Sequence, residues 1–151
     1  MKCLSVSQPY ADLIISGKKT IELRTWNTKF RGEFLIHAPI KIKDSACEKL
    51  GIDKSSLRIG AIIGRAEIYD VKLYESIKAF KKDYNKHFAT EEFLRHKYGF
   101  LLRKPQALRV PIPYKGSLGF FEVKMHARPS NNDIKSELFD EEHRYQWIGK
   151  H

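Results

Sequence analysis

Cysteine is scarce in this chain, and acidic residues are outnumbered. The two cysteines, Cys3 and Cys47, form no CxxC pair, and no histidine cluster stands beside them at zinc spacing. A disulfide framework is therefore excluded, and both thiols read as small buried apolar groups. Long hydrophobic runs are missing as well. The longest, such as Ala61–Ile63 and Phe100–Leu102, fall far short of the ~18 residues that a membrane-spanning helix requires. Met1–Val6 lacks the basic start and long apolar stretch of a secretory leader, so a cytoplasmic protein is expected. There is no internal repeat, no low-complexity tract and no Ser/His/Asp order. His37, His87, His96 and His126 stand alone and read as structural or surface groups. Gly60-Ala61-Ile62-Ile63-Gly64 has strand character and is no phosphate-cradling loop. No metal and no organic cofactor is implied.

A net charge of +10 is what the chain does have: 28 Lys+Arg against 18 Asp+Glu in 151 residues. The length suits one domain. A positive field of this size concentrates polyanions, although an evenly spread solubility charge has the same composition. An anionic membrane surface would call for a long basic amphipathic helix, and none is present.

Hydrophobic periodicity divides the chain into short elements. Cys3–Val6 reads as a strand. Ser7 is placed as a helix N-cap and Pro9 in the first turn. Tyr10, Leu13 and Ile14 form one apolar stripe on a helix over 8–16, which Gly17 ends as a left-handed cap. Thr20–Arg24 alternates as a strand, with Ile21 and Leu23 toward the core and Glu22 and Arg24 on the other face. Further strands are expected at Gly32–Ala38, Gly60–Val71, Tyr98–Leu102, Leu108–Ile112 and Leu118–Val123. Gly64 suggests a bulge or a close backbone approach. Helices are expected over 44–50, Tyr74–Phe80 and Thr90–His96. The fold class is α+β: a small antiparallel β-barrel of about six strands with two to four short peripheral helices. The loop Arg128–Asp133 separates a body of residues 1–126 from an extension, 127–151. In it, Ile134–Trp147 reads as a helix packed on the body, or as a segment that orders on binding a protein partner.

Polar residues gather at the first helix-to-strand junction. Lys18, Lys19, Glu22 and Arg24 lie within seven residues, with Gln8 and Tyr10 before them and Trp26, Lys29, Arg31 and His37 after. A carboxylate beside two cations stays ionised and holds them in place. Cations suit phosphates and aromatic faces suit bases. An ordinary surface strand with cross-strand ion pairs fits the same spacing.

At these residues the sequence resembles the ASCH family (activating signal cointegrator 1 homology), a branch of the PUA-like superfamily. Its GxKxxExR signature is met by Gly17-Lys18-Lys19-Thr20-Ile21-Glu22-Leu23-Arg24. Leu4–Ala11 resembles the family's opening segment, and Thr25-Trp26, Arg31-Gly32 and Ile36-His37-Ala38 resemble its continuation. Gly60–Gly64 and Pro111–Gly116 resemble its central strand and late turn. Together these segments cover residues 3–124.

The resemblance implies a PUA-like barrel with a cleft that carries the signature and takes RNA, single-stranded nucleic acid or a modified nucleoside. Gln8, Tyr10, Gly17, Lys18, Lys19, Glu22, Arg24, Trp26, Lys29 and Arg31 are its candidate binding residues. Lys19, Arg24 and Arg31 are expected on phosphate, and Tyr10 and Trp26 beneath bases. Two other readings stay open. Some relatives are amidohydrolases acting on N4-acetylcytidine, and some are reported to be ribonucleases; Lys19 and Glu22 would then be catalytic. In the amidohydrolases, however, a nucleophilic threonine stands where this chain has Glu22, and their catalytic glutamate comes from a later helix with no aligned counterpart here, Glu91 and Glu92 being candidates for it. A transcription-coactivator-like adaptor docking through Ile134–Trp147 is the third reading. Tyr10, in place of the family's tryptophan, adds a hydroxyl to the aromatic face.

Overall fold

The computed structural model describes residues 1–90, 95–124 and 147–148. Strand β1 (Lys2–Ser5) leads into helix α1 (Tyr10–Ile15), strand β2 (Ile21–Arg24), strand β3 (Gly32–Ala38) and helix α2 (Asp44–Leu50). The long strand β4 (Ala61–Leu73) follows, then two short helices, α3 (Ile77–Lys82) and α4 (Tyr84–His87). Strands β5 (Tyr98–Pro113), β6 (Phe120–Glu122) and β7 (Trp147–Ile148) are the last elements among the described residues.

The strands form one sheet in the order β2–β5–β4–β3–β1–β6, with β7 pairing β5 beside that row. The sheet curls until its opposite edges meet. Trp26, just past β2, lies 5.7 Å from Phe120 of β6, ring centre to ring centre. The result is the expected α+β class with short peripheral helices, its small barrel taking the form of a curled half-barrel sheet. Pairing is not antiparallel throughout, however: β1 runs parallel to β3, matching Leu4 with Ile36. A parallel pair needs a crossover between its strands, and α1 and β2 are the elements that make it. The curl encloses Leu4, Phe34, Ile36, Ile63, Ile68 and Phe100, with Ala11 and Ile14 of α1 closing one end. Burial of this kind contributes ~25 cal/mol per Å² of apolar surface.

Several element ends differ from expectation. The two strands read at Tyr98–Leu102 and Leu108–Ile112 are one strand. The polar break between them is a bulge, with Lys104 at a left-handed φ of 55° and register shifts in the partner strand β4. Helix α1 starts at Pro9 as N-cap, with no side-chain cap from Ser7. Instead, the Gln8 amide oxygen accepts from the backbone N–H of Asp12 at 2.9 Å, which satisfies an orphan donor of the first turn. The helix read at Tyr74–Phe80 begins later, at Ile77, because Ser76 is the residue that caps it, accepting from the N–H of Ala79. Gly64 gives both expected features: a register shift and a site where a Cβ would collide with Ile15 and the Gln106 carbonyl. Most of the helix expected over Ile134–Trp147 lies outside the described residues, as do Glu91 and Glu92. Trp147 itself is in a strand, paired with Leu108.

Candidate nucleic-acid interface

Gly17 adopts φ +84°, in the left-handed region that glycine enters at no steric cost. This turns the chain so that the Lys19 N–H reaches back to the Leu13 carbonyl at 2.9 Å. The Lys19 side chain then enters the molecule and is only 3% exposed. Its ammonium donates to the carbonyls of Ile21 at 2.6 Å and His87 at 2.8 Å. Glu22 Oε1 lies 3.3 Å from the same nitrogen. The other carboxylate oxygen takes Arg24, from Nε at 3.0 Å and Nη2 at 2.9 Å. Arg24 Nη2 also donates to the Ser5 carbonyl at 2.7 Å, which fastens β2 to the end of β1.

The alternation read in β2 holds, but both faces are covered. Ile21 and Leu23 pack with Tyr74 and Phe80, and Glu22 is only 8% exposed. Burial pushes the Glu22 carboxyl up, but Lys19 and Arg24 together outweigh it and hold the group below the ordinary carboxylate range. Burial pulls the Lys19 ammonium down; Glu22 restores part of that and Arg24 opposes it. Three acceptors surround Nζ, so its three donors are engaged.

These groups border a recess of about 250 Å³, whose wall includes Ser5, Ser7, Tyr10, Lys43, His87 and His96. Tyr10 presents its ring to Lys19, with Nζ 5.3 Å from the centroid. His87 is fully buried and supports the recess from behind. Its Nε2 lies 2.7 Å from the Phe80 carbonyl, and its Nδ1 accepts from the N–H of Ala89. That pattern assigns the neutral Nε2–H tautomer. Burial, offset in part by Phe80, holds its pKa below the ordinary histidine value.

A family model, the ASCH domain, matches residues 4–117. The chain belongs to the ASCH domain family. Human activating signal cointegrator 1 is 28% identical over 128 residues, covering 76% of this chain and 21% of the human protein. The chain thus spans about a fifth of the length of that relative. Among solved structures, the ASCH protein of Zymomonas mobilis aligns at TM-score 0.61 with 17% identity, covering 92% of this chain and 93% of that one. A point variant of the same protein aligns at 0.60, with 17% identity and coverage of 92% and 94%. At that identity these likenesses show the fold.

The ASCH signature is split by the structure. Tyr10, Lys19, Glu22 and Arg24 come together at the recess. Gly17 and Lys18 are exposed at the turn before it. Gln8 is buried, and its amide nitrogen donates to Asp12 at 2.7 Å and to the Arg58 carbonyl at 3.0 Å. It anchors α1 and does not line the recess. Trp26 packs edge-on against Phe100 at 5.3 Å and Phe120 at 5.7 Å; it holds the barrel's seam and offers no stacking face in the recess. Lys29 and Arg31 are exposed on the loop after β2, and Arg31 pairs with Asp70 at 3.5 Å. Sequence reasoning missed Lys43, His87 and His96. His87 joins Lys19 across 68 positions, a separation at which no local pattern gives a signal. Among the described residues no group of His, Cys, Asp and Glu is arranged to hold a metal. No helix among them is long and apolar enough to cross a membrane.

Proposed function

We propose that this ASCH domain binds single-stranded RNA and takes one base into the recess. Glu22 supports this reading most directly. Its carboxylate is fixed from both sides by Lys19 and Arg24, yet it borders an opening. A carboxylate so placed accepts from an exocyclic amine on a base edge, and splayed single-stranded bases are what RNA readers hydrogen-bond. The Nη1 donors of Arg24 have no protein acceptor among the described residues, and they complement that acceptor. Tyr10 supplies an aromatic face. A net charge of +10 supplies the long-range attraction.

Lys19 has a different part from the phosphate contact its sequence suggested. Its donors are engaged, so it positions Glu22. With those donors engaged, Lys19 acts on a ligand through the carboxylate it holds. A role in transcription or RNA regulation is part of this proposal, and the similarity to activating signal cointegrator 1 supports it.

The test is fluorescence anisotropy with labelled single-stranded RNA, duplex RNA and DNA at two salt concentrations, with Arg24→Met and Lys43→Ala alongside the parent. Single-stranded RNA is expected to bind best, with affinity falling as salt rises. Arg24→Met is expected to weaken it at least about tenfold, as loss of one bidentate base contact does, and Lys43→Ala to weaken it less. Binding indifferent to Arg24→Met overturns the assignment. Hydrolysis of N4-acetylcytidine by the parent, lost in Glu22→Gln, replaces it with an enzyme.

A further inference from the structure

The recess does not end at Tyr10 and Lys43. Both residues also line an adjoining groove of about 140 Å³, whose far wall carries Lys49 of α2 and Tyr84 and Phe88 of α4 and its C-cap. Tyr84 in turn borders a third hollow of about 230 Å³ with Lys81 and Phe80. Three chambers thus follow one another and share Tyr10, Lys43 and Tyr84 as they pass.

Lys43 and Lys49 line the second chamber and Lys81 the third. Aromatic rings alternate with these cations. Lys49 Nζ lies 6.0 Å from the Tyr84 ring centre, and the rings of Tyr84 and Phe88 are 6.0 Å apart at a 55° tilt. Phe88 holds a left-handed φ of 61°, an outlier for a bulky side chain. It is secured by its N–H bond to the Tyr84 carbonyl at 2.8 Å. Helix α4 also carries His87, whose carbonyl holds Lys19, so one short helix borders both the groove and the recess.

We propose that this groove is the track of the RNA strand beyond the recess. The nucleotide next to the inserted base stacks on Tyr84 and Phe88, and its phosphates lie on Lys43 and Lys49. π-faces beside cations are what a flexible single strand needs, and a duplex, with its bases already stacked, gains nothing from them. The inference rests on the recess reading and adds the strand's course and its minimum length.

The test compares the four ribonucleoside monophosphates with the four matching homotetramers, by calorimetry or competition. The parent protein, Arg24→Met and the double variant Tyr84→Ala/Lys49→Ala are each measured. Tyr84 is 37% exposed and Lys49 is exposed, so the double variant keeps the core. The best tetramer is expected to bind the parent at least about tenfold tighter than its monomer, as stacking of one or two bases gives. The double variant is expected to lose that advantage and leave monomer affinity within about twofold. A tetramer no tighter than its monomer, or an advantage that survives the double variant, overturns the track and leaves the recess standing. Binding of neither probe overturns both, and so does tetramer binding untouched by either variant.

Discussion

Two buried carboxylates in this molecule are built almost alike and differ in what surrounds them. Glu22 is 8% exposed and Asp83 is 5% exposed. Glu22 is held by Lys19 and Arg24. Asp83 Oδ2 accepts from the Tyr74 hydroxyl at 2.5 Å and from Lys72 at 2.7 Å. In both, burial pushes the carboxyl up and the partners more than reverse it, so each lies below the ordinary range. Tyr74 is pushed the other way, first by burial and then by Asp83. Asp83, however, sits at the junction of α3 and α4, as C-cap of one and N-cap of the other, and its partners close over it. Glu22 borders an opening, beside an arginine whose Nη1 has no acceptor among the described residues. A buried ion pair with shifted pKa values is therefore no mark of a site by itself. Access and leftover hydrogen-bonding capacity separate the two.

The largest effect that would sharpen this contrast is Glu22→Ala. It leaves Lys19 buried with a positive charge and no counter-charge beside it. Breaking such a pair costs about 3–5 kcal/mol, to be read as a lowered urea midpoint. Asp83→Asn is next. Lys72 is 43% exposed and stays hydrated when its partner is lost, so the cost is expected to be about 1–3 kcal/mol, that of a weakened buried hydrogen-bond set. RNA affinity should stay within about twofold. A large loss of affinity in Asp83→Asn at full folding would break the contrast, because Asp83 would then act on the site.

Acid should reveal the carboxylates jointly and with a smaller effect. Their folded pKa values lie below the reference values of 4.5 for Glu22 and 3.8 for Asp83. The unfolded chain therefore binds more protons between the folded and reference values, and stability falls as pH falls through that interval. Above pH 4.5 the contribution is fully present. Glu22→Gln is expected to make the fall shallower below pH 4.5, followed by chemical denaturation at stepped pH. An unchanged slope would mean that Glu22 titrates normally.

Much of this was legible in the chain. The stripe Tyr10, Leu13 and Ile14, the left-handed Gly17 and the alternation through β2 are local properties with local causes, and the structure repeats them. The signature residues Lys19, Glu22 and Arg24 do meet. What could not be read is depth. Whether Glu22 faces water or a recess depends on α4 and β1 covering it, and those contacts lie 68 positions beyond Lys19 and 19 before Arg24. The surroundings of Trp26 are hidden in the sequence for a related reason. Its partners Phe100 and Phe120 come from the far side of the curled sheet, and an aromatic residue beside a cationic motif has the same sequence whether it stacks on a base or seals a barrel.

The smallest expected effect concerns two adjacent lysines. Lys18 and Lys19 are chemically identical and neighbours in the signature, yet Lys18 is exposed and Lys19 is 3% exposed. An exposed lysine loses almost nothing on truncation, so Lys18→Ala is expected to change stability by no more than about 0.5 kcal/mol. Its charge remains available to a phosphate. Removing one such contact lowers the slope of log affinity against log salt by about one for a nucleic acid, a little less for a single strand. Lys18→Ala should therefore bind slightly less well at low salt and converge on the parent at high salt. Lys19→Ala should instead destabilise the fold and weaken binding at every salt concentration, because it releases Glu22. If the two substitutions gave the same salt dependence and the same stability, burial would not be what divides their roles.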